Sequence, residues 1–215
     1  MWSYGKDIIQ EMDYFLPCGT APIFTSLAQK NGQGWEATKI ELTTLTGTYL
    51  ETSSHLFNSQ ETIDKLKLKE FFKSALVLHI PKKKQQGINN ADIKMALENY
   101  NIYPKDAIII NTGWYLKKNK RYYLKQSPYF EKSAIDYLIK KDISLLAADI
   151  PRFDYIEKSN LNIVSNILKN NILILAPVTN LQEVDVKRCD LLVFPLKLKN
   201  LCASPCRALL IYDKN

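Results

Sequence analysis

Only two histidines occur in this chain, and one of them follows an acidic residue in a polar segment. Glu51 and His55 lie four residues apart in the stretch TGTYLETSSHLF, residues 46–57. In a helix this spacing places both side chains on one face, and in a loop they can still meet. A carboxylate beside an imidazole raises its pKa and fixes its tautomer, as general acid or base catalysis requires. The pair is either a catalytic dyad or a solvated histidine and glutamate near a turn.

The other residues capable of chemistry give weaker signals. His79 lies in the apolar run ALVLHIP, which is typical of a hydrogen-bonded core or interface histidine. Cys18 could be a nucleophile but needs an activating base, and no G-x-S-x-G, P-loop or G-x-G-x-x-G motif occurs. Three residues in ADIPRFD, at the end of a predicted strand, could edge a site or belong to a turn capped by aspartates: Asp149, Arg152 and Asp154.

Cysteines and charge exclude several classes of protein. Four cysteines are too few for a disulfide framework, and the pair Cys202 and Cys206 has neither a second pair nor a histidine near it for zinc. The net charge of +7 is concentrated in two predicted loops, at 82–84 and 117–121, where we expect solvated surface rather than a nucleic-acid site. No apolar segment approaches about 18 residues, and no signal peptide is evident, so we expect no membrane span and a cytoplasmic location.

The elements that must position Glu51 and His55 alternate in type. Apolar runs predict strands in 37–47, 75–80, 107–112, 143–149, 172–177, 190–197 and 208–213. Amphipathic spacing predicts helices in 90–100, capped by Asn90, and in 131–141 and 160–170. This alternation predicts one α/β domain over residues 1–215 with a covered sheet, whose sites lie in loops at strand ends.

The segment 44–57, TLTGTYLETSSHLF, resembles the motif H-x-G-T-H-x-D-x-P-x-H of the cyclase family, which includes kynurenine formamidase and isatin hydrolase. Further similarities follow in order: INTGW, AADIP, TNL and the tail FPLKLKNLCASPCRALLI, which resembles P-L-K-[IL]-x-x-x-x-G-S-P-x-R-A. The resemblance spans roughly residues 10 to 213. It implies a swivelling β/β/α fold, one domain with a mixed sheet covered by helices, assembled as a homodimer or larger homo-oligomer. It also implies hydrolysis of an amide or lactam with zinc or manganese.

The metal ligands of the family are mostly replaced in this chain. The resemblance places the first two histidines on Leu45 and Tyr49, the bridging aspartate on Glu51, and the later histidine and glutamate on Val164 and Ala176. His55 alone is kept, and no histidine occurs between residues 80 and 215. Catalytic zinc usually has three protein ligands, so we expect no metal cofactor.

Loss of the metal separates two hypotheses. Lowering the pKa of water from about 15.7 to about 7 is worth roughly 12 kcal/mol, whereas a positioned acid or base contributes roughly 3 to 5 kcal/mol. The first hypothesis is a metal-independent enzyme, a hydrolase or cyclase acting on a small cyclic or aromatic amide, lactam or ester. Its predicted catalytic residues are His55, Glu51 and Tyr49, the last as acid or oxyanion donor, and its predicted substrate-binding residues are Thr48, Phe57 and Trp114. The alternative is a catalytically inactive homologue that binds a small molecule or protein, with Leu45, Val164 and Ala176 filling the space of the metal.

Overall fold

The structure is a computed structural model that describes residues 21–58, 61–157 and 162–213, and the backbone of 4–7. Cys18 lies outside the described residues. The strands are β1 Tyr4–Asp7, β2 Ile23–Ala28, β3 Ala37–Glu41, β4 Tyr49–Glu51, β5 Phe72–His79, β6 Gly87–Ile88, β7 Ala107–Asn111, β8 Tyr129–Phe130, β9 Leu145–Ala148, β10 Leu173–Ala176, β11 Arg188–Pro195 and β12 Ala203–Tyr212. The helices are α1 Lys30–Gln33, α2 Asn90–Leu97, α3 Lys132–Lys140 and α4 Asn162–Lys169.

Seven strands form a closed mixed sheet in the order β12, β11, β5, β7, β9, β10, β4, and β4 pairs again with β12. The ring closes because β12 is long: Ala203–Pro205 pair with β4, while Cys206–Ile211 pair with β11. Strands β5, β7, β9 and β10 run parallel, and the remaining pairings are antiparallel. Their apolar runs lack polar alternation because both faces of the parallel strands are buried.

Alternate residues of each parallel strand face two different cores. In β7, Ile108 and Ile110 pack with α2, α3 and α4, and Ala107 and Ile109 face the interior of the closed sheet. The same division holds for β5, β9 and β10. Helices therefore cover one face of the sheet, as predicted, while closure of the ring covers the other.

The helices begin and end close to their predicted positions, with one difference in capping. Asn89, rather than Asn90, caps α2: its side chain accepts hydrogen bonds from the backbone N–H groups of Ala91 and Asp92. Asp92 completes the capping box by accepting from the N–H of Asn89. Among the described helices, none is both long and apolar enough to cross a membrane.

The predicted strand over 37–47 is divided in the structure. Its first half is β3, which pairs with β2 in a separate hairpin that exposes apolar side chains, among them Phe24, Leu27 and Trp35. A turn then leads into β4, and Gly47 in this turn has a φ of 65°, which glycine adopts without strain. The turn redirects the chain so that residues 49–51 join the closed sheet.

Candidate active site

A cavity of about 650 Å³ opens to the surface between β4, β10, α4 and the loop that follows β9. Its wall combines ionisable and apolar side chains. The lining residues are Thr43, Thr44, Leu45, Tyr49, Glu51, His55, Pro151, Arg152, Phe153, Asp154, Val164, Ile174 and Ala176.

Strand pairing brings Tyr49 and Glu51 to this cavity. The two alternate on β4 and so face the same side of the sheet, while Leu50 between them faces the interior core. Their partners across the pairing are Ala176 and Ile174 of β10, which line the same cavity. Tyr49 and Glu51 are almost fully buried, at 6% and 4% exposure.

A 3₁₀ turn over Ser53–His55 carries the imidazole back toward Glu51. The turn is anchored to the chain before β12, since Thr52 donates to the carbonyl of Cys202 through both its N–H, at 2.8 Å, and its hydroxyl, at 2.9 Å. His55 Nδ1 lies 3.2 Å from Glu51 Oε1. No described residue forms a hydrogen bond with His55 Nε2, so this nitrogen is available on a side chain that lines the cavity.

Burial controls the charges of the Glu51–His55 dyad. It raises the pKa of Glu51 from 4.5 to about 7, and it lowers the pKa of His55. A persistent ion pair at 3.2 Å would lower the pKa of Glu51 and raise that of His55, so burial outweighs the pairing, and Glu51 is mostly protonated below about pH 7. Once Glu51 ionises, it accepts from Nδ1–H, which leaves the lone pair of the imidazole on Nε2.

Cys202 is the third group at this dyad. Its Sγ lies 3.5 Å from His55 Nδ1, on the same ring nitrogen that faces Glu51. Burial, and then the negative charge of Glu51, raise the pKa of this thiol. Cys202 does not line the cavity, so its neutral thiol contacts the imidazole on the Nδ1 side, away from the cavity. The sequence alone offers Cys202 only as a possible zinc ligand, because the residue lies 147 positions from His55 along the chain.

A family model described as "Putative cyclase" matches residues 7–155, more than half of the chain. The chain belongs to the cyclase family. It is 25% identical over 208 residues to a kynurenine formamidase of Geobacillus thermodenitrificans (strain NG80-2), a match that covers 95% of each chain.

Solved structures of the cyclase family share the fold. Isatin hydrolase A from Labrenzia aggregata superposes with a TM-score of 0.89 at 18% identity, covering 99% of this chain and 94% of that one. A protein described as a predicted metal-dependent hydrolase from Bacillus stearothermophilus gives a TM-score of 0.79 at 17% identity, with coverage of 98% and 99%. These relatives carry the names of hydrolases, and the structures establish a common mixed α/β fold.

The positions that the cyclase resemblance assigns to metal ligands all meet at the cavity. The six are Leu45, Tyr49, Glu51, His55, Val164 and Ala176. Three of them are apolar and supply no donor atom. Within residues 21–58, 61–157 and 162–213, no three His, Cys, Asp or Glu side chains are placed so that they could hold a metal ion. The described residues therefore do not fit the zinc or manganese centre that the family implies.

The structure does not bring the three predicted substrate-binding residues to this cavity. Thr48 is buried and donates its hydroxyl to the carbonyl of Pro177 at 2.5 Å. Phe57 packs against the helix-side core, and Trp114 is buried there with its indole N–H donating to the carbonyl of Tyr123. None of the three lines the cavity, so their role in binding substrate stays a prediction that the wall of this cavity does not support.

The loop after β9 contributes the residues of ADIPRFD, for which the sequence allows either a site edge or a capped turn. Arg152, Phe153 and Asp154 line the cavity. Asp154 also caps α4: its two carboxylate oxygens accept from the N–H groups of Ile163 and Val164. Both interpretations of ADIPRFD thus apply, since the turn is capped by an aspartate and it edges the site.

Proposed function

We propose that this cyclase-family protein is a metal-independent hydrolase or cyclase that uses the Glu51–His55 dyad on a small amide, lactam or ester. The observation that carries the proposal is the 3.2 Å contact between Glu51 Oε1 and His55 Nδ1 on the wall of an open cavity. An orienting carboxylate on one ring nitrogen and an available second nitrogen are the arrangement that general base catalysis requires.

The proton transfers follow from the two nitrogens of His55. With Glu51 ionised, Nε2 accepts a proton from a water molecule as the water oxygen attacks the acyl carbon. Nε2 then returns this proton to the leaving nitrogen or oxygen as its bond to the acyl carbon breaks. Glu51 stabilises the imidazolium that exists between these steps, and positioned acid or base groups of this kind contribute about 10² to 10⁴ in rate.

Tyr49 is proposed as the group that stabilises the developing oxyanion. Tyr49 lines the cavity two residues before Glu51, on the same face of β4. Burial limits its hydroxyl to a narrow range of directions. A fixed hydroxyl donor in a partly dehydrated site stabilises negative charge more than water does.

The apolar part of the wall favours a substrate with an aromatic or cyclic body. Leu45, Phe153, Val164 and Ile174 give one side of the cavity no polar side-chain atoms. A related isatin hydrolase A was solved with benzyl benzoate bound, and other relatives are named kynurenine formamidase. These names support aromatic formamides, lactams and esters as the first compounds to test.

The open cavity also bears on the alternative of an inactive homologue. Had Leu45, Val164 and Ala176 filled the space of the metal, the site would be closed. Instead they line a cavity of about 650 Å³ together with His55. Binding without turnover remains the second candidate, and it is favoured if ligands occupy the cavity but no compound is hydrolysed.

The test is turnover of a panel of aryl formamides, isatin-type lactams and aryl acetates by protein treated with a chelator and analysed for metal. We expect activity without stoichiometric zinc or manganese, and its loss in His55→Ala. The matched control is His79→Ala, because His79 ends β5, lies outside the cavity and is hydrogen-bonded to Asn111 and to the carbonyl of Val184. Activity that needs about one metal ion per chain would contradict the proposal.

A further inference from the structure

The positive charge of the chain is concentrated in two loops at one end of the sheet. Residues 80–91, after β5, and 112–130, after β7, contain eight Lys and Arg side chains and no acidic residue. The whole chain has 29 basic and 22 acidic residues, so outside these two stretches 21 basic residues face 22 acidic ones. The net charge of +7 therefore comes entirely from the two loops.

The fold joins these loops into one surface, here called the basic face. Lys84 Nζ lies 3.7 Å from the ring centroid of Tyr122, and the N–H of Gln85 donates to the carbonyl of Gln126 at 3.0 Å. Six cations of the face are exposed, and none forms an ion pair with a described residue: Lys83, Lys84, Lys117, Lys120, Arg121 and Lys125.

The basic face adjoins the cavity. β5, β7 and β9 are neighbouring parallel strands, so the loops at their carboxyl ends share one edge of the sheet, and the loop after β9 forms part of the cavity wall. Two contacts link the surfaces: Leu124 packs against the cluster of Tyr49 and Ala203, and Gln85 Nε2 donates to Glu157 at 3.4 Å, three residues beyond Asp154.

A further cation lies inside the cavity. Arg152 is half-buried in its wall and forms no ion pair with a described residue. The nearby carboxylate of Asp154 uses both oxygens on the N–H groups at the start of α4, whose positive end offsets its charge. Arg152 is thus the cation that a bound anion would meet, because guanidinium pairs with carboxylates in a bidentate way.

We infer that the substrate is a small organic anion, with a carboxylate or similar group directed at Arg152 and an apolar body against Phe153, Val164 and Ile174. This inference rests on the proposed function and adds the charge of the substrate to it. The basic face attracts the anion to the mouth of the cavity, and such fields raise association rates by about 10- to 10³-fold at low salt. A neutral substrate gains nothing from either feature.

The test compares two aryl acetates of nearly the same shape, 4-acetoxybenzoate, an anion, and 4-acetoxybenzamide, which is neutral. We expect kcat/KM for the anion to exceed that for the amide by about tenfold at low salt. The ratio falls as ionic strength rises from about 20 to about 300 mM and the Debye length shrinks from about 21 to about 6 Å. Arg152→Gln lowers the ratio at all salt concentrations, and Lys117→Gln/Lys120→Gln/Arg121→Gln lowers it mainly at low salt.

The matched control is Lys65→Gln/Lys67→Gln/Lys69→Gln. These three lysines are exposed and precede β5, at the opposite end of the parallel strands from the cavity loop, so removing the same charge there leaves the ratio unchanged. An equal ratio in the wild type, Arg152→Gln and the basic-face variant, with hydrolysis still dependent on His55, overturns the inference and leaves the proposed function intact.

Binding decides the inference if neither ester is hydrolysed, an outcome that counts against the proposed function. Ligand-observed NMR then compares the binding of benzoate and benzamide. We expect stronger, salt-sensitive binding of benzoate that Arg152→Gln abolishes. Equal binding of the two compounds overturns the inference. Tight binding of a single-stranded oligonucleotide that requires the basic face, with no preference for benzoate, also overturns it and assigns the face to a nucleic acid.

Discussion

The two walls of the cavity have diverged in opposite ways. On β4 and the turn that follows it, positions that the family resemblance assigns to metal ligands remain polar, as Tyr49, Glu51 and His55. On α4 and β10 the corresponding positions are Val164 and Ala176, which have no donor atom. The polar wall keeps a close ionisable pair, with 3.2 Å between Nδ1 and Oε1, while the apolar wall, whose strand β10 pairs with β4, belongs to the helix-side core. An open cavity with an ionisable pair on one wall supports the proposed change of chemistry more than a collapsed site does.

The largest expected effect separates the walls by activity. His55→Ala removes the general base, and we expect kcat/KM to fall by about 10² to 10⁴. Val164→Ala on the apolar wall changes KM by a few-fold and leaves kcat nearly constant, since it alters only contacts with the body of the substrate. Steady-state kinetics of both variants on one substrate measure this contrast. Equal losses of kcat/KM in His55→Ala and Val164→Ala would show that the polar wall is no more important for catalysis than the apolar wall.

Rebuilding the lost donors tests whether the apolar wall is what excludes a metal. In the variant Leu45→His/Tyr49→His/Val164→His/Ala176→Glu, four donors face the cavity with Glu51 and His55. We expect that about 1 mM zinc does not saturate the wild type, whereas the variant binds zinc with a Kd near or below about 1 µM. Isothermal titration and metal analysis measure it. If the wild-type protein already binds zinc with micromolar affinity, the apolar wall does not exclude a metal ion.

The buried carboxyl makes stability depend on pH. Because the folded pKa of Glu51 is about 7 and its ordinary value is 4.5, the folded protein binds more protons than the unfolded chain between these values. Its contribution to the free energy of unfolding therefore decreases as pH rises through this window, by about 3 kcal/mol in total. Glu51→Gln lacks this decrease, so the variant gains stability relative to the wild type from pH 4 to pH 8.

Urea unfolding of both proteins across this pH range measures the difference, in which the other titrating groups cancel. Exposed Glu61→Gln is the control, and its curve should run parallel to that of the wild type. A constant difference between wild type and Glu51→Gln at all pH values would mean that Glu51 is ionised throughout and that the dyad is a permanent ion pair.

The smallest expected effect concerns the packing of the apolar wall. Ile174 is 2% exposed and belongs to the helix-side core as well as the cavity. Ile174→Val removes one methylene group, which costs about 1 kcal/mol of unfolding free energy, and activity stays within about twofold. A larger loss of activity than of stability would show that the apolar wall takes part in the chemistry.

Sequence patterns predicted the helices and strands in which an apolar pattern continues over several residues. The fully apolar runs of β7, β9 and β10 and the spaced apolar residues of α3 and α4 could be recognised because burial on fixed faces imposes their periods. Glu51 and His55 were found because they are close in sequence and have the types that acid or base chemistry needs.

The missed features depend on contacts between distant parts of the chain. Cys202 reaches His55 only because β12 closes the sheet against β4. β4 itself has three residues, too few to show a period. Trp114 and Phe57 are aromatic in type, but sequence patterns do not specify the backbone direction of their turns, which places Trp114 in the helix-side core and Phe57 against it.

Acid and base catalysis by the Glu51–His55 dyad without a metal ion can be tested in one pH series. The measurement is kcat/KM of chelator-treated wild type and Glu51→Gln on the aryl acetate that gives the higher rate, from pH 5 to pH 9. We predict that the wild-type rate rises with an apparent pKa of about 7, the value for Glu51, and that this rise is absent in the variant. A wild-type rate that vanishes after chelation and returns with zinc would show that catalysis needs a metal ion, and an identical pH profile in the two proteins would show that Glu51 does not control the base.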